Sequence, residues 1–184
     1  MSKLVVSTLE SPAANGIITV STGDMVYSPG SIVQVVNNYI TTQSSVSVSS
    51  SYSVYTDIPN MSASITPKSA NSKIYIMARW FGEASAGGIW NMMFNIKRNE
   101  TVVGQPSGPY ARGIHMAAQS YNFDNYSSTP ETTFFDYMDS PATTDTVTYQ
   151  VCVHSGSSFT LWTNRTVSVD DTGTCSVTLM EIAQ

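Results

Sequence analysis

Few side chains in this chain can do acid–base, nucleophilic or metal chemistry. There are two histidines, His115 and His154, two cysteines, Cys152 and Cys175, and 13 carboxylates. A histidine works as a general base when a carboxylate orients it and a nucleophile lies within hydrogen-bond reach. Neither histidine has such partners at a recognisable spacing. His154 follows Val153 near the end of a strand-like run, faces the side opposite Val151, and reads as a surface or interface residue. Asp136 and Asp139 would suit glycan hydrolysis if they faced one another. An odd offset along a strand sends them to opposite faces instead. Asp170-Asp171-Thr172-Gly173 resembles part of a calcium loop, but the remaining ligands are missing. It reads as a hairpin turn with Gly173 at positive φ. No G-x-S-x-G elbow, H-E-x-x-H pair, Walker loop or G-x-G-x-x-G turn occurs. These residues predict a non-catalytic chain with no cofactor and no metal.

The cysteines form no C-x-x-C and have no histidine at zinc spacing. Alternation separates them. Tyr149, Val151 and Val153 share one strand face and Cys152 the other, whereas Cys175 shares a face with Val177 and Leu179. A disulfide would need a bulge or a slip of register, so both are read as free thiols.

Strands must position these groups, because no helical periodicity is present. No stretch places apolar residues at i, i+3 and i+4 over ten or more positions. Val, Thr, Tyr, Ile and Ser dominate, and these favour strands and turns. Strand patterns cover Ser31–Asn38, Met61–Ile65, Lys73–Phe81, Trp90–Lys97, Thr132–Met138, Thr146–His154, Ser158–Asn164 and Thr174–Ile182. Val46, Val48, Tyr52 and Val54 keep a period of two through a Ser-rich run, so a strand is at least as good a reading there as a linker. Pro59-Asn60, Pro67, Ser140-Pro141 and Ser155-Gly156 act as separators. Lys73–Phe81 is apolar on both faces and should be a central strand covered on both sides. Many short strands divided by turn residues predict an antiparallel β-sandwich over residues 29–184. Its predicted core holds Val35, Ile65, Ile74, Ile76, Phe94, Ile96, Phe134, Tyr149, Val151, Val177 and Leu179.

Composition narrows the function classes. Only 11% of residues are charged and the formal net charge is −5. Serine and threonine fill the gap. With eight Lys plus Arg and a pI near 4.7, the chain lacks the basic footprint of a sequence-independent nucleic-acid binder. No apolar run is long enough to span a membrane as a helix. Met1 to Glu10 have neither a basic n-region nor an apolar h-region, so no secretory leader is expected. Four N-x-S/T sequons, at Asn60, Asn99, Asn125 and Asn164, are read as chance in so hydroxyl-rich a chain.

Residues 1–28 differ from the rest. Their apolar pieces Leu4-Val5-Val6, Ile17-Ile18-Thr19-Val20 and Met25-Val26-Tyr27 are divided by turn residues and are too short to build a core. They form an arm that must dock on something, with Leu4, Val5, Val6, Ile17, Ile18, Val20, Met25 and Tyr27 as its contacts. Tyr110, Tyr121, Phe123 and Tyr126 lie among Gly, Asn and Ser between strands. Such aromatics stack on sugars or anchor interfaces, or else pack their own loop.

Four blocks carry a resemblance. They are Tyr27–Val36 (YSPGSIVQVV), Ser62–Ile74 (SASITPKSANSKI), Tyr137–Thr144 with Thr148–Val151 (YMDSPATT and TYQV), and Ser176–Ile182 (SVTLMEI). In that order they resemble a jelly-roll-like domain of tailed-bacteriophage tail fibre and virion structural proteins, especially marine ones. The resemblance implies a jelly-roll-like β-sandwich, usually trimeric, displayed on a virion, and carries no catalytic residue. It implies a chain made in the host cytoplasm and placed on the virion surface. There it would partner copies of itself and a major capsid, portal or tail protein, without nucleic acid or membrane insertion. Two roles stay open. One is a homotrimeric capsid decoration, cement or short fibre protein held by its arm. The other is a tail fibre module that recognises a host surface glycan.

Overall fold

The computed structural model describes residues 27–85, 89–105, 116–121 and 128–184. Among them eleven strands form two antiparallel sheets and no helix. The first sheet contains β1 (Ile32–Ile40), β2 (Ser44–Val48), β4 (Lys73–Ala84), β8 (Glu131–Asp139), β10 (Phe159–Thr163) and β11 (Cys175–Ile182). The second contains β3 (Ser51–Ile65), β5 (Ile89–Arg98), β6 (Thr101–Val102), β7 (Ala117–Tyr121) and β9 (Val147–Ser155). The predicted antiparallel sandwich is what forms.

β4 is central, as predicted. β8 runs along one edge, while β11 and then β10 share the other. Beyond them β1 pairs with β11, and β2 with β10. In the second sheet β9 lies between β3 and β5. Alternate residues of each strand meet between the sheets, where Trp80, Tyr149, Phe94, Ile58 and Met61 are fully buried. The Phe94 ring bridges the layers, 5.2 Å from Trp80 and 6.0 Å from Phe135 between ring centres. Edge-tilted aromatic pairs of this kind add to the burial of apolar area.

Nine of the eleven predicted core positions are buried, and two are not: Val35 is 53% exposed and Phe134 61% exposed. Side chains alternate along a strand, so only one of two adjacent residues can face inward. On β8 that residue is Phe135, and on β1 it is Val36, which packs against the core. The expectation that β4 is covered on both sides also needs correction. Its inner residues Ile74, Ile76, Ala78 and Trp80 are buried, but Tyr75, Met77, Arg79 and Phe81 on the outer face are only half-buried.

Pro59-Asn60 does not end a strand. β3 runs through it, with register irregularities against β9 between Asp57 and Ser62. Asn60 has φ 66, which makes the bulge. The Gln150 amide fills the gap by donating to the Ile58 carbonyl at 2.9 Å and the Met61 carbonyl at 3.2 Å. Asn99 and Asn164 are also left-handed, at φ 53 and φ 63. Three of the four sequon asparagines therefore occupy backbone positions that favour this residue type. The fourth, Asn125, lies outside the described residues.

Both cysteines are free and buried. Burial pushes the Cys152 thiol up to about 12 and the Cys175 thiol up to about 11. Two readings of single residues change. His154 is fully buried rather than on the surface. Its ring lies 4.6 Å from that of Tyr55, and Nδ1 is 2.9 Å from the Tyr52 carbonyl, which can only accept, so Nδ1 carries the proton. In the segment after β10, Gly173 has no positive φ; the left-handed residues are Asn164 and Val169, at φ 63 and φ 68. Gly173 is needed for space instead, because a Cβ there would overlap the Phe81 ring.

Candidate functional site

Residues 28–31, just before β1, form a tight junction with the end of the chain. Ser31 N–H donates to the Ser28 carbonyl at 3.0 Å, and Gly30 at φ 88 turns the chain. Gly30 N–H then donates to the Ala183 carbonyl at 2.8 Å, and Ala183 N–H returns to the Ser31 carbonyl at 2.9 Å. Gly30 and Ser31 are thus paired with the residue just after β11.

A cavity of about 210 Å³ opens beside this junction, lined among others by Tyr27, Ser28, Val33, Lys68 and Glu181. Glu181 organises it. Its inward-facing carboxylate accepts Gln34 Nε2 at 2.6 Å, Lys68 N–H at 2.8 Å and Ser69 N–H at 3.4 Å. Burial alone would raise its pKa. The hydrogen bonds from Gln34, Ser72, Lys68 and Ser69 outweigh that and hold the carboxyl below its ordinary range. A depressed carboxyl stabilises the fold above its unfolded value of about 4.3, and that stability is lost as pH falls through the folded value. Glu181→Gln should therefore flatten the acid limb of the stability curve. In urea melts the gap between wild type and variant should be widest near neutrality and close in acid; a gap independent of pH would refute this.

Asp136 and Asp139 lie on opposite faces of β8, as the odd offset predicts. Asp136 is exposed on the outer face of the first sheet, and Asp139 is buried on the inner face. Asp139 accepts the Tyr149 hydroxyl at 2.7 Å and Arg98 Nη1 at 2.9 Å. Burial first, and then the Asp139 carboxylate, push the Tyr149 phenol far above its usual range. This closed network ties β5, β8 and β9 together.

The outer face of the first sheet is the other notable surface. Side by side across β1, β11, β4 and β8 run Val35, Met180, Tyr75 and Met138; then Asn37, Thr178, Met77 and Asp136; then Tyr39, Ser176, Arg79 and Phe134. Beyond Phe81 the face is closed by the segment between β10 and β11, since Gly173 sits against the Phe81 ring. Sequence reasoning passed over this surface because it took Val35 and Phe134 for core.

Of the proposed docking contacts, Tyr27 is described and lies half-exposed in the cavity wall. Leu4, Val5, Val6, Ile17, Ile18, Val20 and Met25 lie outside the described residues. So do Tyr110, Phe123 and Tyr126. Tyr121 closes β7, where its backbone pairs with Ile89.

No protein-family model and no curated protein matches the chain. Two solved structures are similar to it. One is the structure of infectious bursal disease virus Gt strain, 14% identical, covering 91% of this chain and 41% of that chain at a TM-score of 0.36. The other is the structure of infectious bursal disease virus Gx strain, 14% identical, covering 95% of this chain and 47% of that chain at a TM-score of 0.34. The chain spans less than half the length of either.

Proposed function

We propose that the chain is a non-enzymatic bacteriophage virion surface protein, a homotrimeric capsid decoration, cement or short fibre protein. It is made in the host cytoplasm and attaches through residues 1–28 to a major capsid, portal or tail protein. One observation carries this reading. Three of the four blocks that resemble phage virion proteins converge on one carboxylate: Gln34 from the first, Lys68, Ser69 and Ser72 from the second, and Glu181 from the last. That carboxylate stands where the arm leaves the sandwich. A junction built from such distant parts of the chain supports a fixed exit direction for the arm, which an anchored surface protein needs.

The arm supplies short apolar pieces that can each add a strand to a neighbouring edge or groove. Three arms held by one trimer would engage three equivalent sites, and avidity of this kind multiplies a weak contact by about 10²–10⁴. Deleting residues 1–28 should leave a folded domain that no longer binds particles in a co-sedimentation assay. Retention of the truncated protein at wild-type occupancy would overturn attachment through the arm. In particles, a copy number tied to the capsid lattice supports decoration, whereas a few copies per particle would transfer the protein to the tail.

A further inference from the structure

We propose that the outer face of the first sheet is the surface on which three copies of this chain associate. β1 of each copy would abut β8 of the next. The proposal rests on the homotrimer in the reading above and adds which surface forms it.

The face is built like an interface. Tyr39 is 60% exposed and Met138 42% exposed, beside the exposed Val35 and Phe134. Aromatic residues and Met are the types enriched where proteins meet. Four strands about 4.8 Å apart, each rising about 3.3 Å per residue from Lys73 to Phe81, give a face of about 500 Å² in projection. Its apolar side chains are interleaved with Asn37, Thr178, Asp136, Ser176 and Arg79, a mixed apolar and polar surface like that of protein–protein contacts.

Width and edge chemistry select copies of the chain as the occupant. Four strands make a wall about 19 Å wide, and three such walls around one axis stand about 5.5 Å from it, near half the roughly 10 Å between packed sheets. Side chains from three faces are therefore within reach of one another at the axis. The two edges also match at each level. Closing the ring sets β1 against β8, which brings Val35 to Met138, Asn37 to Asp136 and Tyr39 to Phe134. Apolar residues meet apolar ones, an amide donor meets a carboxylate, and ring meets ring. Within one copy Asp136 is hydrogen-bonded to the Tyr75 side chain and Asn37 Nδ2 donates to Thr178 Oγ1 at 2.6 Å; the second N–H of that amide and the remaining lone pairs of the carboxylate are the groups that would meet between copies. Charge agrees: the chain carries −5, yet the face holds only Lys73, Arg79 and Asp136, so acidic copies meet here with little repulsion. A heterologous contact that closes after three copies leaves no open end.

Light scattering at micromolar concentration tests this. The full chain should have three times its 19.9 kDa mass. Phe134→Lys should fall to the single-chain mass with an unchanged circular dichroism spectrum, since the side chain touches no core. Asn37→Asp should weaken assembly at least tenfold by setting like charges together, and adding Asp136→Asn should restore it. A Phe134→Lys protein that stays trimeric, or an Asn37→Asp defect that Asp136→Asn leaves unrepaired, would overturn the surface while the homotrimer stands. A monomeric full chain would overturn both.

Discussion

Gly82→Ala should cost the domain about 4 kcal/mol or more, in the range that marks a gross structural conflict. Gly82 lies where β4 changes partners, paired with Glu131 of β8 on one side and Thr163 of β10 on the other. A Cβ at this position would overlap the Trp162 carbonyl, and it would stand 2.7 Å from the Trp80 indole. Neither neighbour can retreat. The carbonyl is backbone in a paired strand, and the indole is fully buried with Nε1 donating to Thr163 Oγ1 at 3.1 Å. The strands must separate, taking the β4–β10 pairing and the Trp80 contacts with them. For a domain this size each kcal/mol is about 2–4 °C, so the melting temperature should fall by roughly 8–16 °C. Gly30→Ala is the control. Its Cβ would meet nothing within 4 Å, and only the φ of 88 penalises it, by about 1–2 kcal/mol. A Gly82→Ala protein that melts within about 3 °C of wild type would refute the steric account.

The contrast shows how far the sequence could be read. Alternation sufficed where one parity was apolar and the other polar, as in β11, where Cys175, Val177 and Leu179 go inward and Ser176 and Thr178 outward. It failed where both parities were apolar. Val35-Val36 and Phe134-Phe135 carry no local signal for which member turns inward; the partner strands decide. The bulge at Asn60 was hidden because Pro-Asn usually ends a strand, and here Gln150, about ninety residues away, fills the gap. Glu181 shows the same limit: its donors Gln34 and Lys68 lie 147 and 113 residues away. A buried carboxylate with distant donors leaves no spacing to find. His154 was misplaced for a related reason. Its parity was right, but Tyr52 and Tyr55 of β3 cover that face.

Glu83→Ala should cost about 3 kcal/mol, because three donors converge on one buried carboxylate and each donor left unpaired inside a protein costs about 1–3 kcal/mol. Glu83 is fully buried although its strand parity points it outward from the sheet. Two segments cover it and supply the donors. Thr129 gives its N–H at 3.0 Å and its hydroxyl at 2.7 Å to Oε1, and Val167 N–H reaches Oε2 at 2.5 Å. The carboxylate thus pins the strand leading into β8 and the turn after β10 over the same end of the sheet. Truncation would strand two backbone N–H groups and loosen both segments. Glu83→Gln keeps the shape but aims an NH₂ at one donor, so it should cost about 1–2 kcal/mol. A second readout separates charge from shape. Burial raises the pKa of Glu131, and the negative charge of Glu83 raises it further. A raised carboxyl pKa means stability is lost as pH climbs through the folded value, and either substitution should relieve part of that loss. Urea melts across pH 4–8 with all three proteins measure both effects. Should Glu83→Ala be no less stable than Glu83→Gln at every pH, the three hydrogen bonds do not hold these segments.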